Sequence, residues 1–272
     1  FLRPDVSQVA FDVACGSKCP ISWHIETDCP WMQFSCTGGT VAENQRVTLT
    51  IDRSQITGKT TGQFAVVNEH IQEGTGAANI IVEVDNTPVS YPKGTFVEAN
   101  GYIAMEAQHY TAKRDVPGGG FALLKPYGRL GTALKVFPVT ANFENSEERP
   151  YLEYTFAAAK DGDYHVQFHM SATTPVTFEP KQYIGYSVNG GAVSVVNTVH
   201  EENRPFFGSE QWYAEGFANV KLTEAVIPCH VGVNTLRFYA VSPAIILEKI
   251  VLWPDGTSLP ESYLGPQESY RC

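Results

Sequence analysis

The side chains whose types and spacing could do chemistry are two histidines, a triple glycine and scattered acids. His165 and His169 lie four residues apart on a predicted strand. At roughly 3.3 Å per residue they are about 13 Å apart, too far to share one metal ion. We therefore expect both histidines to face solvent. The glycines 118–120 could cradle a phosphate only ahead of a helix, and strand-like residues follow them, so no phosphate site is predicted.

Acidic residues could supply the two carboxylates that glycoside hydrolysis places around one scissile bond. No sequence context singles out a pair among the candidate acids, which are Glu106, Glu153, Glu179, Glu210 and Glu215. The chain also lacks a Gly-x-Ser-x-Gly elbow, a His-Glu-x-x-His helix and a Walker loop. The sequence therefore assigns no catalytic residue, and we expect the chain as it stands to be non-catalytic.

Six cysteines form a close group of four and a distant pair: Cys15, Cys19, Cys29 and Cys36, then Cys229 and Cys272. The three-residue gap between Cys15 and Cys19 could form half a zinc site, but neither local pair has the spacing of a zinc ribbon or knuckle. Disulfides are favoured, and the predicted pairs are Cys15–Cys19, Cys29–Cys36 and Cys229–Cys272. Three disulfides require an oxidising compartment, so we expect a secreted, extracellular protein.

The composition describes a folded chain of low charge density. Of its 272 residues, 12% are aromatic and 18% are charged, and the net charge is -10. Phosphate binding requires clustered Lys and Arg, and no basic run is present, so we expect no nucleic-acid partner. No run approaches the roughly 20 apolar residues of a membrane helix, so we expect no membrane partner. A chain that opens at Phe1 without Met is expected of a processed or excised product.

Two groups of alternating strands must position any site. Residues 1–86 contain short period-two strands separated by glycine turns, which predict an immunoglobulin-like sandwich. Two prolines and Gly94 mark a linker, which gives predicted domains 1–92 and 93–272. The second domain repeats the alternation, for example over residues 162–170. The predicted class is all-β, with two β-sandwich domains.

The first domain carries a motif order that resembles a known module. Ser22-Trp23, then Cys29-Pro30-Trp31-Met32, then Gly38-Gly39-Thr40 resemble BACON-type modules, the immunoglobulin-like domains appended to extracellular carbohydrate-active enzymes. The resemblance implies a spacer role. Trp23 and Trp31 could form a glycan platform, but a buried tryptophan is normal in such a sandwich, so a core position is favoured.

The tail of the second domain is its most specific motif. Ser262-Tyr263-Leu264-Gly265-Pro266-Gln267-Glu268-Ser269 resembles the "SYLGPPES"-like tail of the C-terminal domain of glycoside hydrolase family 115, the xylan α-1,2-glucuronidases. Segments 127–132, 183–191 and 232–239 resemble further motifs of that domain in the same order. The resemblance implies a jelly-roll sandwich like that of a carbohydrate-binding module. It also implies an accessory role, because the family's chemistry belongs to an upstream catalytic barrel.

The opening of the second domain bears on metal binding. Glu106-Ala-Gln108 resembles the opening of carbohydrate-binding modules of families 6 and 35, in which an acidic pair and an Asp on the last strand bind a structural calcium. The matching positions here are Glu106, Gln108 and Glu248. Gln108 removes one charge from a site that needs hard oxygen ligands. The alternative is that Glu106 caps or cross-links strands. No other cofactor is expected.

Sugars bind to aromatic faces and a few fixed polar groups. The aromatic candidates are Tyr102, Tyr127, Phe206, Phe207, Trp212 and Tyr213. Arg129 and Arg204 could meet a uronate carboxylate. The resemblance implies a polysaccharide partner, with uronic-acid-bearing xylan suspected, although Trp212 could equally be a core residue. The alternative function is structural: an extracellular protein that self-assembles as a dimer or fibre through sheet edges or the Phe206-Phe207 loop.

Overall fold

The computed structural model describes residues 2, 6–16, 18–69, 76–87, 90–176, 181–200 and 207–272. The chain divides into two compact units, Phe1–Val89 and Ser90–Cys272. In these described ranges no helix has the length and apolarity to cross a membrane.

The first unit is a pair of antiparallel sheets. Its strands are β1 (Gln8–Ala14), β2 (Ile21–Glu26), β3 (Met32–Phe34), β4 (Gly38–Val41), β5 (Asn44–Ile51), β6 (Gly58–Asn68) and β7 (Ala77–Asn86). The sheets have the orders β1-β5-β3 and β4-β2-β6-β7. In β5 the alternate residues Val47, Leu49 and Ile51 are buried, as a half-buried strand requires. Trp23 and Trp31 are also buried, so both belong to the core and neither forms a glycan platform.

The second unit contains two larger sheets and one α-helix. Its elements are β8 (Phe96–Val97), β9 (Ile103–Glu106), β10 (Ala112–Arg114), β11 (Gly120–Leu124), β12 (Ala133–Phe137), β13 (Tyr151–Ala158), β14 (Gly162–Met170), β15 (Tyr183–Val188), β16 (Ser194–Asn197), α1 (Glu210–Ala218), β17 (Lys221–Cys229), β18 (Gly232–Ala240) and β19 (Ile246–Pro254). One sheet has the order β10-β13-β18-β15-β16, with β8 beside β13. The other has the order β11-β12-β19-β14-β17, with β9 beside β19.

The core of the second unit joins the inner faces of both sheets. In β14 the alternate residues Tyr164, Val166 and Phe168 are buried in it, and Phe238 of β18 packs against Phe168 with ring centroids 5.6 Å apart. The period-two alternation that predicted these strands therefore also predicts their inner faces. The predicted fold class, all-β with two β-sandwiches, is confirmed.

A β-bulge shapes the outer face of the sheet that contains β14 and β19. In the pairing of these strands the register shifts after His169, and Glu248 becomes an extra residue. Leu247 and Ile250 both pack in the core. The two residues between them, Glu248 and Lys249, therefore both lie on the outer face.

The C-terminal tail crosses this outer face and is held there by two buried cations. Lys249 Nζ donates hydrogen bonds to the carbonyl oxygens of Leu264 (3.0 Å) and Pro266 (2.8 Å). Arg129 donates to the carbonyl oxygen of Tyr263, and its guanidinium carbon lies 5.4 Å from the centre of the Tyr263 ring. The tail motif thus has a structural role, because it covers polar groups of the sheet.

His169 lies under this tail and does not face solvent. Its residue surface is only 4% exposed, and Arg129 Nη2 is 3.2 Å from its Nδ1. Burial, followed by the charges of Arg129 and Lys249, lowers the pKa of His169 to about 3. His165 is partly exposed, and its ring stacks on Trp253 with centroids 5.3 Å apart. The expectation of two solvent-facing histidines is therefore wrong for His169.

The four cysteines of the first unit are not joined by disulfide bonds in the structure. The thiol of Cys15 donates a hydrogen bond to the carbonyl oxygen of Cys19 at 3.2 Å. Cys29 and Cys36 are free thiols that pack in different clusters of the core. The Cys36 sulfur accepts a hydrogen bond from Gln45 Nε2 at 3.4 Å.

Cys229 and Cys272 of the second unit are likewise not joined by a disulfide bond in the structure. Cys229 ends β17 as a buried thiol, and burial raises its pKa to about 12. Cys272 is a free thiol whose backbone N–H donates to the carbonyl oxygen of Thr95. The tail is held by hydrogen bonds and not by a covalent bond between these cysteines.

Candidate functional site

An aromatic cleft of about 310 Å³ lies between helix α1 and the segment that follows β14. We call it the α1 cleft. Its lining residues are Ala172, Thr173, Thr174, Trp212, Tyr213, Glu215, Gly216 and Phe217. Its volume is at the lower end of the range of ligand-binding pockets, roughly 300–1,000 Å³.

Helix α1 positions the aromatic side chains of the cleft. Ser209 caps its first turn, where the Ser209 hydroxyl accepts the backbone N–H of Trp212 at 3.1 Å. The helix ends at Asn219, whose φ of 51° is in the left-handed region. Residues four apart share one side of a helix, so Tyr213 and Phe217 are neighbours on its surface. Local capping and spacing thus produce the aromatic wall.

The aromatic rings of this wall are unusually exposed. Tyr213 is 52% exposed and Phe217 is 86% exposed. Trp212 is partly buried, and its ring meets that of Tyr213 edge to face, with centroids 4.9 Å apart. Single exposed apolar residues are normal, but grouped ones mark a binding surface. The cleft therefore offers ring faces to a ligand.

Glu215 provides a fixed carboxylate in the cleft. Its Oε1 accepts a hydrogen bond from Gln211 Nε2 at 2.6 Å, and its Oε2 lies 3.5 Å from Lys221 Nζ. Burial raises the pKa of Glu215, and the charge of Lys221 opposes that effect. A carboxylate can accept about four hydrogen bonds. These contacts orient the carboxylate, and its remaining lone pairs can accept hydrogen bonds from a ligand.

A buried polar network joins the two walls of the cleft. Lys221 is 1% exposed, and its Nζ donates to Gln182 Oε1 at 2.7 Å. Gln182 Nε2 in turn donates to Thr173 Oγ1 at 3.1 Å. Burial lowers the pKa of Lys221, and the Glu215 charge opposes this. Because α1 and the segment after β14 both attach to this network, the cleft has a preformed shape.

Gly216 lies within helix α1, where glycine lowers helix stability. A Cβ at Gly216 would meet no atom within 4 Å, so packing does not require glycine. We expect Gly216→Ala to raise the free energy of unfolding by about 0.5–1 kcal/mol, the intrinsic difference between these residues in a helix. Urea unfolding would measure it.

Gly208→Ala is the matched control for that substitution. A Cβ there also meets nothing within 4 Å, but the φ of Gly208 is 79°. Alanine at positive φ is strained, so Gly208→Ala should destabilise by about 1 kcal/mol. Equal effects of the two substitutions would contradict the prediction for Gly216.

The structure separates the predicted glycan-binding residues. Trp212 and Tyr213 line the α1 cleft. Phe207 is exposed just before the helix cap but is outside the lining. Arg204 and Phe206 lie outside the described residues. Tyr102 is partly buried and Tyr127 is exposed, and neither lines the cleft.

Arg129 is not offered to a surface ligand. Its side chain is buried, and its contacts are the Tyr263 carbonyl, His169 and Glu248, whose Oε2 lies 4.0 Å from Arg129 Nε. Burial lowers the pKa of Arg129, and the Glu248 charge opposes that effect. This guanidinium stabilises the tail, and the proposed contact with a uronate is not supported.

The predicted calcium ligands all have partners within the protein. Glu248 accepts hydrogen bonds from the Ser171 hydroxyl (2.7 Å) and the backbone N–H of Arg129 (3.3 Å). Glu106 Oε2 accepts one from Gln108 Nε2 at 3.1 Å. The Lys249 ammonium interacts electrostatically with both glutamates. A lysine therefore already supplies positive charge where the predicted calcium would.

Glu106 belongs to a different group, with His109 and Glu268. The potential ligand atoms of these three lie within 4.8 Å of one another, and His109 Nδ1 is 2.8 Å from Glu268 Oε1. An imidazole nitrogen is a poor ligand for calcium, which prefers oxygen. The set does not fit a calcium ion, and its visible role is to join the tail to β9.

Sequence reasoning named Glu215 only as one of five acids without a catalytic pair, and it missed Phe217 and the two threonines of the cleft. The helix itself was not predicted. Its signals were present: a Ser209 cap three residues before Trp212, and aromatic residues at four-residue spacing. The threonines follow β14 and meet the helix only through the tertiary fold, so no local signal could have found them.

Comparisons with known proteins bear on the second unit. The family model described as "Glycosyl hydrolase family 115 C-terminal domain" matches residues 95–268, which is more than half of the chain. No curated protein matches the chain. The structure of BtGH115A, a family GH115 4-O-methyl-α-glucuronidase described as having specificity for decorated arabinogalactans, is similar with 16% identity and a TM-score of 0.44. That similarity covers 62% of this chain and 19% of that one.

Two carbohydrate-binding modules are also similar. A family 35 module from Clostridium thermocellum has 13% identity and a TM-score of 0.37, covering 58% of this chain and 98% of that one. Module CBM6cm-2 of Cellvibrio mixtus lichenase 5A has 11% identity and a TM-score of 0.35, covering 56% and 95% respectively. This chain spans 19% of the length of BtGH115A.

Proposed function

Because this chain belongs to the glycosyl hydrolase family 115 C-terminal domain family, we propose that it is a non-catalytic, glycan-binding accessory region of a xylan α-glucuronidase. The observation that carries the proposal is the α1 cleft. It combines exposed ring faces with one oriented carboxylate. Saccharides bind through C–H patches on aromatic faces and hydroxyl groups on fixed polar atoms.

A non-catalytic role is supported by the number of carboxylates. Among the described residues that line the cleft, Glu215 is the one acid. Glycoside hydrolysis needs two carboxylates around the scissile bond. Glu215 is also held by Gln211 and Lys221, which suits a positioned hydrogen-bond acceptor.

The partner we propose is a plant-type polysaccharide, uronic-acid-bearing xylan. An extracellular location is part of this proposal, because such a polysaccharide lies outside the cell. We further propose that the first unit is a BACON-like spacer, since its tryptophans are core residues and not a platform.

Titration calorimetry with glucuronoxylan oligosaccharides tests the proposal. We expect Tyr213→Ala and Phe217→Ala each to weaken binding about ten-fold, because loss of one stacked aromatic face costs roughly 1–1.5 kcal/mol. Both side chains are largely exposed, so the fold should be retained. Tyr127→Ala, which removes an exposed aromatic ring outside the cleft, is the matched control. Unchanged binding in both cleft variants would overturn the proposal.

A second candidate function, self-assembly, is favoured by strand β17. This strand ends the order of its described sheet, and its outward residues Leu222 and Val226 are exposed. An edge strand with apolar residues can pair with a second copy. Pro228 removes one N–H from that edge. Light scattering of the wild type and of Val226→Lys measures the mass of each protein in solution. A dimer or fibre that the substitution dissociates supports self-assembly, and a monomer in both proteins excludes it.

A further inference from the structure

The α1 cleft carries a charge pattern that narrows its ligand. We infer that the cleft takes the neutral sugar residues of a polysaccharide and rejects its uronate branches. This inference rests on the proposed glycan-binding function. It adds the chemical class of the bound residues, and it assigns Glu215 as the residue that determines specificity.

Among the described residues that line the cleft, the charged features are negative. Glu215 is the one charged side chain among its described lining residues. Gly216 and Phe217 belong to the last turn of α1, where the helix dipole adds partial negative charge. A uronate carboxylate entering here would meet a like charge in a partly desolvated site, which is unfavourable.

Two cations of the described part of the second unit, Lys221 and Arg129, are already engaged and do not compensate a uronate. Lys221 lies directly behind Glu215, but it is 1% exposed, and its ammonium contacts Gln182 and Glu215. Arg129 is buried against Glu248 and the tail. Neither can present the paired N–H groups that recognise a carboxylate.

Neutral sugar hydroxyls complement the same features. Glu215 is only 8% exposed and is fixed by Gln211 and Lys221, so its remaining lone pairs have a defined direction. Hydroxyl donors to an ionised carboxylate form stronger hydrogen bonds than donors to a neutral amide. The ring faces of Tyr213 and Phe217 can cover the C–H patches of the same sugar. Uronate branches of a bound polysaccharide would then project away from the cleft.

The test is calorimetry of the full chain with three probes: a linear neutral xylooligosaccharide, the same backbone carrying one glucuronate, and a linear oligogalacturonate. We expect the neutral probe to bind, and the probe with one glucuronate to bind through its unbranched residues. The oligogalacturonate should bind at least about ten-fold more weakly than the neutral probe. Raising the salt from about 50 mM to about 500 mM should narrow that difference, because screening weakens like-charge repulsion. Tighter binding of the oligogalacturonate than of the neutral probe would overturn the inference.

Glu215→Gln gives an independent readout. It should weaken the neutral probe about ten-fold, because a charge-assisted hydrogen bond becomes a neutral one, and it should reduce the preference over oligogalacturonate. If acidic oligosaccharides bind the wild type more tightly and Phe217→Ala weakens them, the inference fails while the proposed function stands. If no probe binds, both fail. The comparison of the three probes uses the wild-type chain, so it tests the inference even if the Glu215→Gln variant does not fold.

Discussion

Replacing Lys221 with methionine is expected to lower the free energy of unfolding of the second unit by about 3–5 kcal/mol. Lys221 is 1% exposed, and its ammonium is 3.5 Å from the Glu215 carboxylate. Methionine has a similar length but no charge, so the substitution leaves Glu215 as an uncompensated carboxylate in a mostly buried position. The hydrogen bond to Gln182 is lost as well. Desolvation of the remaining charge, and not the loss of packing, causes most of the effect.

The measurement is urea unfolding at about pH 7, followed by alkylation of Cys229. That thiol is buried in β17, so its labelling reports the opening of the second unit. The Lys221→Met/Glu215→Gln double variant is the control. It removes both charges and should recover most of the lost stability, since a neutral buried pair has no unpaired charge. A double variant less stable than Lys221→Met would contradict this account.

The same substitution has a consequence for binding. Lys221 and Gln182 connect Glu215 to Thr173 on the opposite wall of the cleft. Without the ammonium, Glu215 loses one of its two orienting contacts. We therefore expect Lys221→Met, under conditions in which it is folded, to weaken glycan binding relative to the wild type. The same substitution should weaken binding less when it is made in the Glu215→Gln variant.

The sandwich was predictable because its signal is local. In β14 and β18 the alternation of apolar residues fixes which face is buried, and Phe168 and Phe238 meet as that pattern requires. The pattern also placed His169 on the face opposite the core. The pattern could not show what covers that face. The covering residues, such as Leu264, belong to the tail and lie about 95 positions after His169 in the sequence.

The candidate site was harder to predict for a related reason. Trp212 and Tyr213 were identified by residue type alone, whereas Glu215 gains its role from Lys221, which is buried by contacts distant in sequence. The β-bulge that places Glu248 beside Lys249 on one face has no clear sequence marker. Arg129 was predicted to contact a ligand because its neighbours in the sequence do not reveal that the C-terminal tail buries it.

The stability of the second unit is expected to fall as the pH is lowered from about 6.5 towards 3, because of His169. Burial and the charges of Arg129 and Lys249 lower its pKa to about 3 in the folded protein. Arg129 only donates hydrogen bonds, so Nδ1 of His169 must accept, and the neutral ring carries its proton on Nε2. Protonation of Nδ1 would lose this contact and place three cations together.

The sign of the pH dependence follows from proton binding. Between about pH 6.5 and 3 the unfolded chain binds a proton at His169 that the folded chain does not bind. Acid therefore favours the unfolded state, with a slope of up to about 1.4 kcal/mol per pH unit from this one residue. Above about pH 6.5 both states are neutral at this position, and its contribution is fully present.

Hydrogen exchange of peptides from β14 and β19, corrected for intrinsic rates, measures this effect at about pH 7, 5 and 4. Carboxylates also titrate in this range, so the difference between wild type and His169→Gln isolates the histidine. Glutamine can still accept a hydrogen bond from Arg129 but does not titrate. The stability of the His169→Gln variant should therefore depend less steeply on pH than that of the wild type. His165→Gln is the comparison variant, because it replaces a partly exposed histidine on the same strand. Equal slopes in the wild type and His169→Gln would show that the buried ring is not what makes the tail-covered face sensitive to acid.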